Sequence, residues 1–207
     1  MAKKSAGLNR RTYRQQIDRS CRTRPSPIVT VGRGEQATRE RTLKIAIMGS
    51  GGIGGYYGAR LQQGGADVTF IARGEQLKAL RQNGIALEGD RPIHLPTVKA
   101  TDDPATIGKV DMVIFSVKLR DTEAAAKQIL PLIGPDTGII SLQNGVTKDG
   151  MLAPIVGRQH LLGGAAYIAV SIARPGVIKK AGTNERLSIM RPLLGGSRPN
   201  RCRSQPR

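Results

Sequence analysis

The 207-residue chain is 39% hydrophobic, enough for one ordinary core, and its 33 Lys and Arg against 15 Asp and Glu give a formal net charge of +18. Such a charge points on its face to nucleic acid or an anionic membrane, but it is unevenly placed. Residues 1–42 hold 11 basic and 3 acidic residues and residues 191–207 hold 5 basic and none acidic, which leaves the middle of the chain at only +5.

No stretch approaches the ~20 apolar residues of a membrane span, and the N-terminus lacks the apolar core of a secretory signal, so a soluble, cytoplasmic protein without a membrane partner is expected. Cys21 and Cys202 lie in the two flanks, while His94 and His160 stand apart from any other ligand type. Neither a disulfide framework nor a metal site is expected from that spacing.

Residues 1–42 are Arg-rich, broken by Arg24-Pro25-Ser26-Pro27, and contain one short apolar run at 28–31. They read as a disordered leader. The alternatives are an organelle transit peptide or a nucleic-acid-binding arm, but the segment lacks an amphipathic face and offers one aromatic, Tyr13, to stack on bases. A nucleic-acid partner is therefore disfavoured, and any such binding would be weak, sequence-blind and lost with moderate salt.

The pattern changes at Leu43. Short apolar runs at 43–48 (LKIAIM), 68–72 (VTFIA), 112–117 (MVIFSV) and 138–142 (GIISL) have the character of buried parallel strands. Helix-like stretches at 53–63, 75–82, 121–130 and 148–156 separate them. A repeated strand–helix alternation with right-handed crossovers predicts an α/β fold, a Rossmann-type doubly wound parallel sheet.

Residues 85–87 and 93–95, joined across Glu88-Gly89-Asp90-Arg91, read as a small hairpin inserted before a further core strand near Val98. Segments 161–170, 177–180 and 187–190, punctuated by Pro175-Gly176, read as antiparallel edge strands. Residues 191–207 have no period or apolar face and read as a disordered tail. The expected organisation is a basic leader (1–42), a dinucleotide-binding domain (43–190) and a basic tail (191–207).

Gly49-Ser50-Gly51-Gly52-Ile53-Gly54 fits G-x-G-x-x-G directly after the first strand and at the opening of the first helix. In that context Gly49 permits the tight turn, Gly51 lets backbone amides approach a pyrophosphate, and Gly54 allows close helix-to-strand packing, with the helix N-terminus favouring the phosphates. A glycine-rich turn that merely joins strand to helix is the alternative.

A site that prefers NAD places an acidic residue about 20 positions downstream, at the end of the second strand, to hold the ribose hydroxyls. Here that end is Ile71-Ala72-Arg73-Gly74. Arg73 offers a permanently charged fork to a 2′-phosphate, and no carboxylate stands there to repel it, so the expected cofactor is NADP (NADPH). An arginine solvated in a loop is the alternative.

Ligands of open α/β sheets bind beyond the carboxyl ends of the strands. Lys118 follows the strand at 112–117 and could attract an acidic substrate or a cofactor phosphate; an exposed lysine is the alternative. Asn144 follows the strand at 138–142. Asn-Gly most often marks a hairpin, but a helix-like stretch comes next, so the Asn144 amide could instead meet the cofactor carboxamide or a substrate oxygen.

Together KIAIMGSGGIGGYYGARL, VTFIARG, DMVIFSVKLRDT, ISLQNGV and LLGGAAYIAVSIARPGVI resemble the N-terminal domain of the ketopantoate reductase (2-dehydropantoate 2-reductase) family, over residues 43–190. The resemblance implies hydride transfer from NADPH to the ketone of ketopantoate, yielding pantoate for pantothenate and coenzyme A synthesis. It also implies that Gly49, Ser50, Gly51, Gly52, Ile53, Gly54 and Arg73 hold NADP, that Lys118 and Asn144 lie by cofactor and substrate, and that the backbone near Val170 touches the cofactor.

The chain departs from the family's pattern after Met190, where the family continues as a helical domain bearing the general-acid lysine. A positioned proton donor is worth about 10²- to 10⁴-fold in rate, so little or no turnover is expected of this chain alone. The apolar face that the helical domain would cover is expected to promote self-association. The unpatterned flanks read as an upstream start and a frame shift near Met190. Two other readings stand beside this one: a related dehydrogenase acting on another oxo or hydroxy acid, and a non-catalytic NADP- or nucleic-acid-binding protein.

Overall fold

Side chains alternate across a strand, and strand β1 (Lys44–Met48) uses that alternation to serve two cores at once. Ile45 and Ile47 enter one, Ala46 and Met48 the other. The computed structural model describes residues 41–190; apart from Arg41 and Thr42, the expected leader and tail lie outside the described residues.

Strands β2 (Asp67–Ile71) and β6 (Met112–Phe115) flank β1 in parallel, β5 (Lys99–Thr101) adds to β2, and β7 (Gly138–Ser141) adds to β6. Helices α1 (Gly52–Gln63) and α2 (Gly74–Asn83) cover one face through Tyr56, Tyr57, Ala59, Leu77 and Leu80. Helices α3 (Thr122–Gln128) and α4 (Lys148–Val156) cover the other through Ala125, Ala126, Leu152 and Val156. This is the doubly wound α/β sheet of the sequence reading. Phe70 and Phe115, both fully buried, anchor the two cores.

Three boundaries differ from expectation. The strands foreseen at 112–117 and 138–142 end at Phe115 and Ser141. The helix foreseen at 121–130 is interrupted, with 3₁₀ turns at Leu119–Asp121 and Leu130–Leu132 on either side of α3. Pro131 lies within the second of these turns and cannot donate the amide that a continued α-helix needs.

The larger correction concerns the sheet's second half. Strand β8 (Leu161–Arg174) pairs in parallel with β7 through Ile139↔Leu161 and Ile140↔Leu162, then antiparallel with β9 (Val177–Met190) along most of its length. Strand β3 (Ile85–Glu88) pairs antiparallel with β4 (Ile93–Leu95), as foreseen, but also in parallel with β9.

The sheet order is β4-β3-β9-β8-β7-β6-β1-β2-β5, so β8 and β9 are interior strands and β4 and β5 are the edges. The antiparallel pairing was legible from Pro175-Gly176. The interior position was not, because the outer partner of β9 is a strand some ninety residues earlier in the chain. The hairpin thereby becomes part of the sheet rather than an excursion from it.

Candidate functional site

The turn from β1 into α1 is built around Gly49, whose φ of +94° is strained for any residue with a side chain. A Cβ at Gly49 would also lie 2.9 Å from the Val117 amide nitrogen. The Gly49 and Ser50 amides both donate to the Ile71 carbonyl, at 3.3 and 3.2 Å, and the buried Ser50 hydroxyl donates to the same oxygen at 3.1 Å. Ser50 thus spends both of its donors on the end of β2 and shapes the turn.

Gln76, in the first turn of α2, completes the clamp. Its Nε2 donates to the Ser50 carbonyl at 2.9 Å, and its Oε1 accepts from the Gly176 amide at 3.0 Å. At Gly54 an added Cβ would collide with the Gly49 carbonyl and with Ser116 Oγ, which itself donates to Gly49 O at 2.8 Å. Gly54 therefore lets α1 lie directly against the turn.

Gly51 contrasts with its neighbours: a Cβ there would meet nothing within 4 Å. It is the N-cap of α1, with no side chain capping the helix. The first amides of a helix lack intrahelical partners and carry the positive end of the dipole. The geometry leaves an open cradle of donors suited to an anion.

This cradle forms one end of a cleft of about 400 Å³ lined by Gly49, Ser50, Gly51, Arg73 and Lys118, with Ala72, Val117, Ala124, Ala125 and Ile172 supplying apolar walls. Arg73 stands just beyond β2 as the N-cap of α2, and its Nη2 donates to Gln128 Oε1 at 2.8 Å. Lys118 is exposed just past β6. Arg120 and Asp121 also line the cleft, so three cations face one carboxylate there. The balance favours an anionic, partly apolar ligand, and an open helix N-terminus at Gly51 on the cleft that Arg73 also lines suits a phosphorylated dinucleotide.

The remaining sequence candidates fall around the cleft rather than in its walls. Gly52 opens α1, and a Cβ there would lie 3.1 Å from the Val170 carbonyl, which puts Val170 beside the helix start. Ile53 packs on the α1-side core. Asn144 is exposed in the loop after β7, where Asn144-Gly145 leads into α4 and not into a hairpin.

A buried network fixes the loops at the ends of β6 and β7. Gln143 Nε2 donates to the Val117 carbonyl at 3.0 Å and to Thr122 Oγ1 at 2.7 Å, while its Oε1 accepts from Ser141 Oγ at 3.1 Å. Lys148 Nζ donates to the Ser141 carbonyl at 2.9 Å. Lys118 thus projects from a backbone tied to the neighbouring strand. Among the described residues no group of His, Cys, Asp and Glu is arranged to hold a metal ion.

Sequence reasoning missed Arg120 and Asp121, although both follow Lys118 within the same strand-end loop. It also missed Gln76, Gln128 and Ile172, for which no local signal existed, since each reaches the site through a tertiary contact.

Residues 45–191 match the family described as ketopantoate reductase PanE/ApbA. The chain belongs to this family of oxidoreductases. It is 34% identical over 136 residues to a 2-dehydropantoate 2-reductase of Nostoc sp., covering 65% of this chain and 42% of the relative. With the 2-dehydropantoate 2-reductase of Mesorhizobium japonicum it shares 31% identity over 171 residues, 72% of this chain and 52% of the relative. The crystal structure of a 2-dehydropantoate 2-reductase from Geobacter metallireducens GS-15 superposes with a TM-score of 0.69 at 33% identity, over 75% of this chain and 51% of that one. The chain spans about half the length of the curated relatives it matches.

Proposed function

We propose that residues 43–190 form an NADPH-binding domain of a 2-dehydropantoate 2-reductase, and that the hydride is destined for the ketone of ketopantoate. The observation that carries this reading is the open position at Gly51, the N-cap of α1 without a side-chain cap, on the same cleft that Arg73 lines. The names of the relatives supply the substrate.

In this reading the amides that begin α1 hold the pyrophosphate, and Arg73 pairs with the 2′-phosphate through a charge-assisted fork. NADPH, when bound, supplies the hydride. The Lys118 ammonium draws the acidic substrate to the cleft, while the Asn144 amide fixes an oxygen of cofactor or substrate from the adjoining loop. Val117, Ala124 and Ile172 give that space apolar walls. Protonation of the product alkoxide needs a positioned donor, worth about 10²- to 10⁴-fold in rate, and the ammonium of the cleft, Lys118, serves to draw in the substrate. We therefore propose slow turnover or none for these 207 residues alone.

Self-association and residence in the cytoplasm belong to the same reading. Tyr167, Ile189 and Met190, exposed on β8 and β9, supply apolar surface for association. Sedimentation across a concentration series tests it. Among the described residues no helix is long and apolar enough to cross a membrane.

The direct test of the site is titration with NADPH of the parent chain and of Gly51→Ala. The parent is expected to bind and the variant to bind markedly more weakly while remaining folded, with only the ~0.5–1 kcal/mol lost by a poorer N-cap. Equal binding by the two would remove the cradle as the pyrophosphate site.

A further inference from the structure

Arg73 lines the candidate cofactor cleft, and Gln128, at the end of the helix that supplies part of the cleft wall, holds the Arg73 guanidinium. Arg73 follows β2, whereas Gln128 is the last residue of α3, whose earlier residues Ala124 and Ala125 form part of the cleft wall. The two lie 55 residues apart in sequence, yet Arg73 Nη2 donates to Gln128 Oε1 at 2.8 Å. An arginine otherwise has a long side chain with much rotamer freedom, and a ligand that needs its fork in one place must order it.

The chemistry of the partner matters as much as its position. Gln128 is neutral, so it holds the guanidinium without cancelling its charge. Its carbonyl oxygen takes one N–H, and a guanidinium has five. Among the described residues no second partner takes the remaining donors, which suit a bidentate contact. A carboxylate at the same point would neutralise Arg73 and repel a phosphate.

We propose that Gln128 is a positioning residue that pre-orders Arg73 and thereby sets the preference of this cleft for a dinucleotide with a 2′-phosphate over one without. The proposal rests on the NADPH reading of the site and deepens it. Gln128 acts through Arg73, so its influence should vanish when Arg73 is absent, which a double-mutant cycle measures.

The experiment titrates NADPH and NADH, read by nicotinamide fluorescence, into the full chain and its Gln128→Ala, Gln128→Glu, Arg73→Ala and Arg73→Ala/Gln128→Ala variants. Gln128 is exposed on α3, and unchanged circular dichroism and Tm establish that each variant is folded. Gln128→Ala is expected to weaken NADPH about fivefold, the effect of one charge-assisted hydrogen bond at an exposed site, with NADH unchanged. Gln128→Glu should weaken NADPH further. In the Arg73→Ala background the loss of Gln128 should change neither affinity.

An unchanged NADPH-to-NADH ratio in Gln128→Ala, an equal loss for both nucleotides, or an effect that persists without Arg73 would each overturn the positioning role. If Arg73→Ala weakens NADPH while Gln128→Ala does nothing, only this inference falls. If Arg73→Ala leaves NADPH binding intact, the NADPH reading falls and takes the inference with it.

Discussion

The side-chain amide of Gln76 donates a 2.9 Å hydrogen bond to the carbonyl oxygen of Ser50, tying the first turn of α2 to the glycine turn one strand away. The same side chain accepts from the Gly176 amide in the β8–β9 turn, so three separate segments meet on one residue. Replacing it with alanine removes both bonds, each worth about 1 kcal/mol net. Gln76→Ala is expected to lower Tm and to weaken NADPH and NADH together, because it loosens the cradle and leaves Arg73 in place. Thermal unfolding and paired titrations check this; a loss confined to NADPH would contradict it.

The glycines of the turn separate stability from binding. Gly54→Ala forces a methyl group against the Gly49 carbonyl and Ser116 Oγ, an overpacking that costs about 1–3 kcal/mol. Gly49→Ala adds the cost of a left-handed backbone for a residue with Cβ, about 1–2 kcal/mol, to a contact with rigid backbone at Val117. At Gly51 the space is open, so alanine there should cost least, only the ~0.5–1 kcal/mol by which glycine is the better N-cap. Urea unfolding of the three variants tests the ranking, and an equally destabilised Gly51→Ala would show that the cradle is already filled by protein.

A pH dependence follows from an ion pair between β9 and the β3–β4 turn. The Lys180 ammonium, 1% exposed, donates to Asp90 Oδ2 at 2.9 Å and to the Gly182 carbonyl at 3.1 Å. The hydrogen bond from Lys180 holds the Asp90 carboxyl below its ordinary range. A carboxyl with a lower pKa in the folded state than in the unfolded one stabilises the fold fully above its unfolded value, near pH 4. That contribution is lost as the pH falls through the lower, folded value. Asp90→Asn should therefore lower Tm at pH 7, by leaving a buried ammonium without its carboxylate, and the gap from the parent should narrow below about pH 4. A gap that stays constant down to pH 2 would contradict this account.

Much of this architecture was legible because the strand runs are short, apolar and separated by helices. Ile45 to Met48 feed two cores in alternation, and a sheet covered on both faces writes that continuous apolar run into the sequence. The glycine turn was legible for a related reason: Gly49 and Gly54 each meet a steric demand that few residues satisfy, while Gly51 completes the spacing and leaves its space open. The place of β9 was not, since its pairing with β3 joins distant segments and β8 is rich in Gly and Ala where it leaves β7. In the site, Arg73 and Lys118 could be found from strand ends. Gln76 and Gln128 could not, because a glutamine on a helix carries no mark of what lies across the cleft.

We propose that the cleft distinguishes a 2′-phosphorylated dinucleotide through Arg73. The most direct test compares the Kd values of NADPH and NADH for the purified chain and for Arg73→Ala at one moderate salt concentration. The account predicts tighter binding of NADPH by the parent chain, and a loss of that preference in the variant with NADH little changed. Equal affinities in the folded parent chain, or a preference that survives Arg73→Ala, would contradict it.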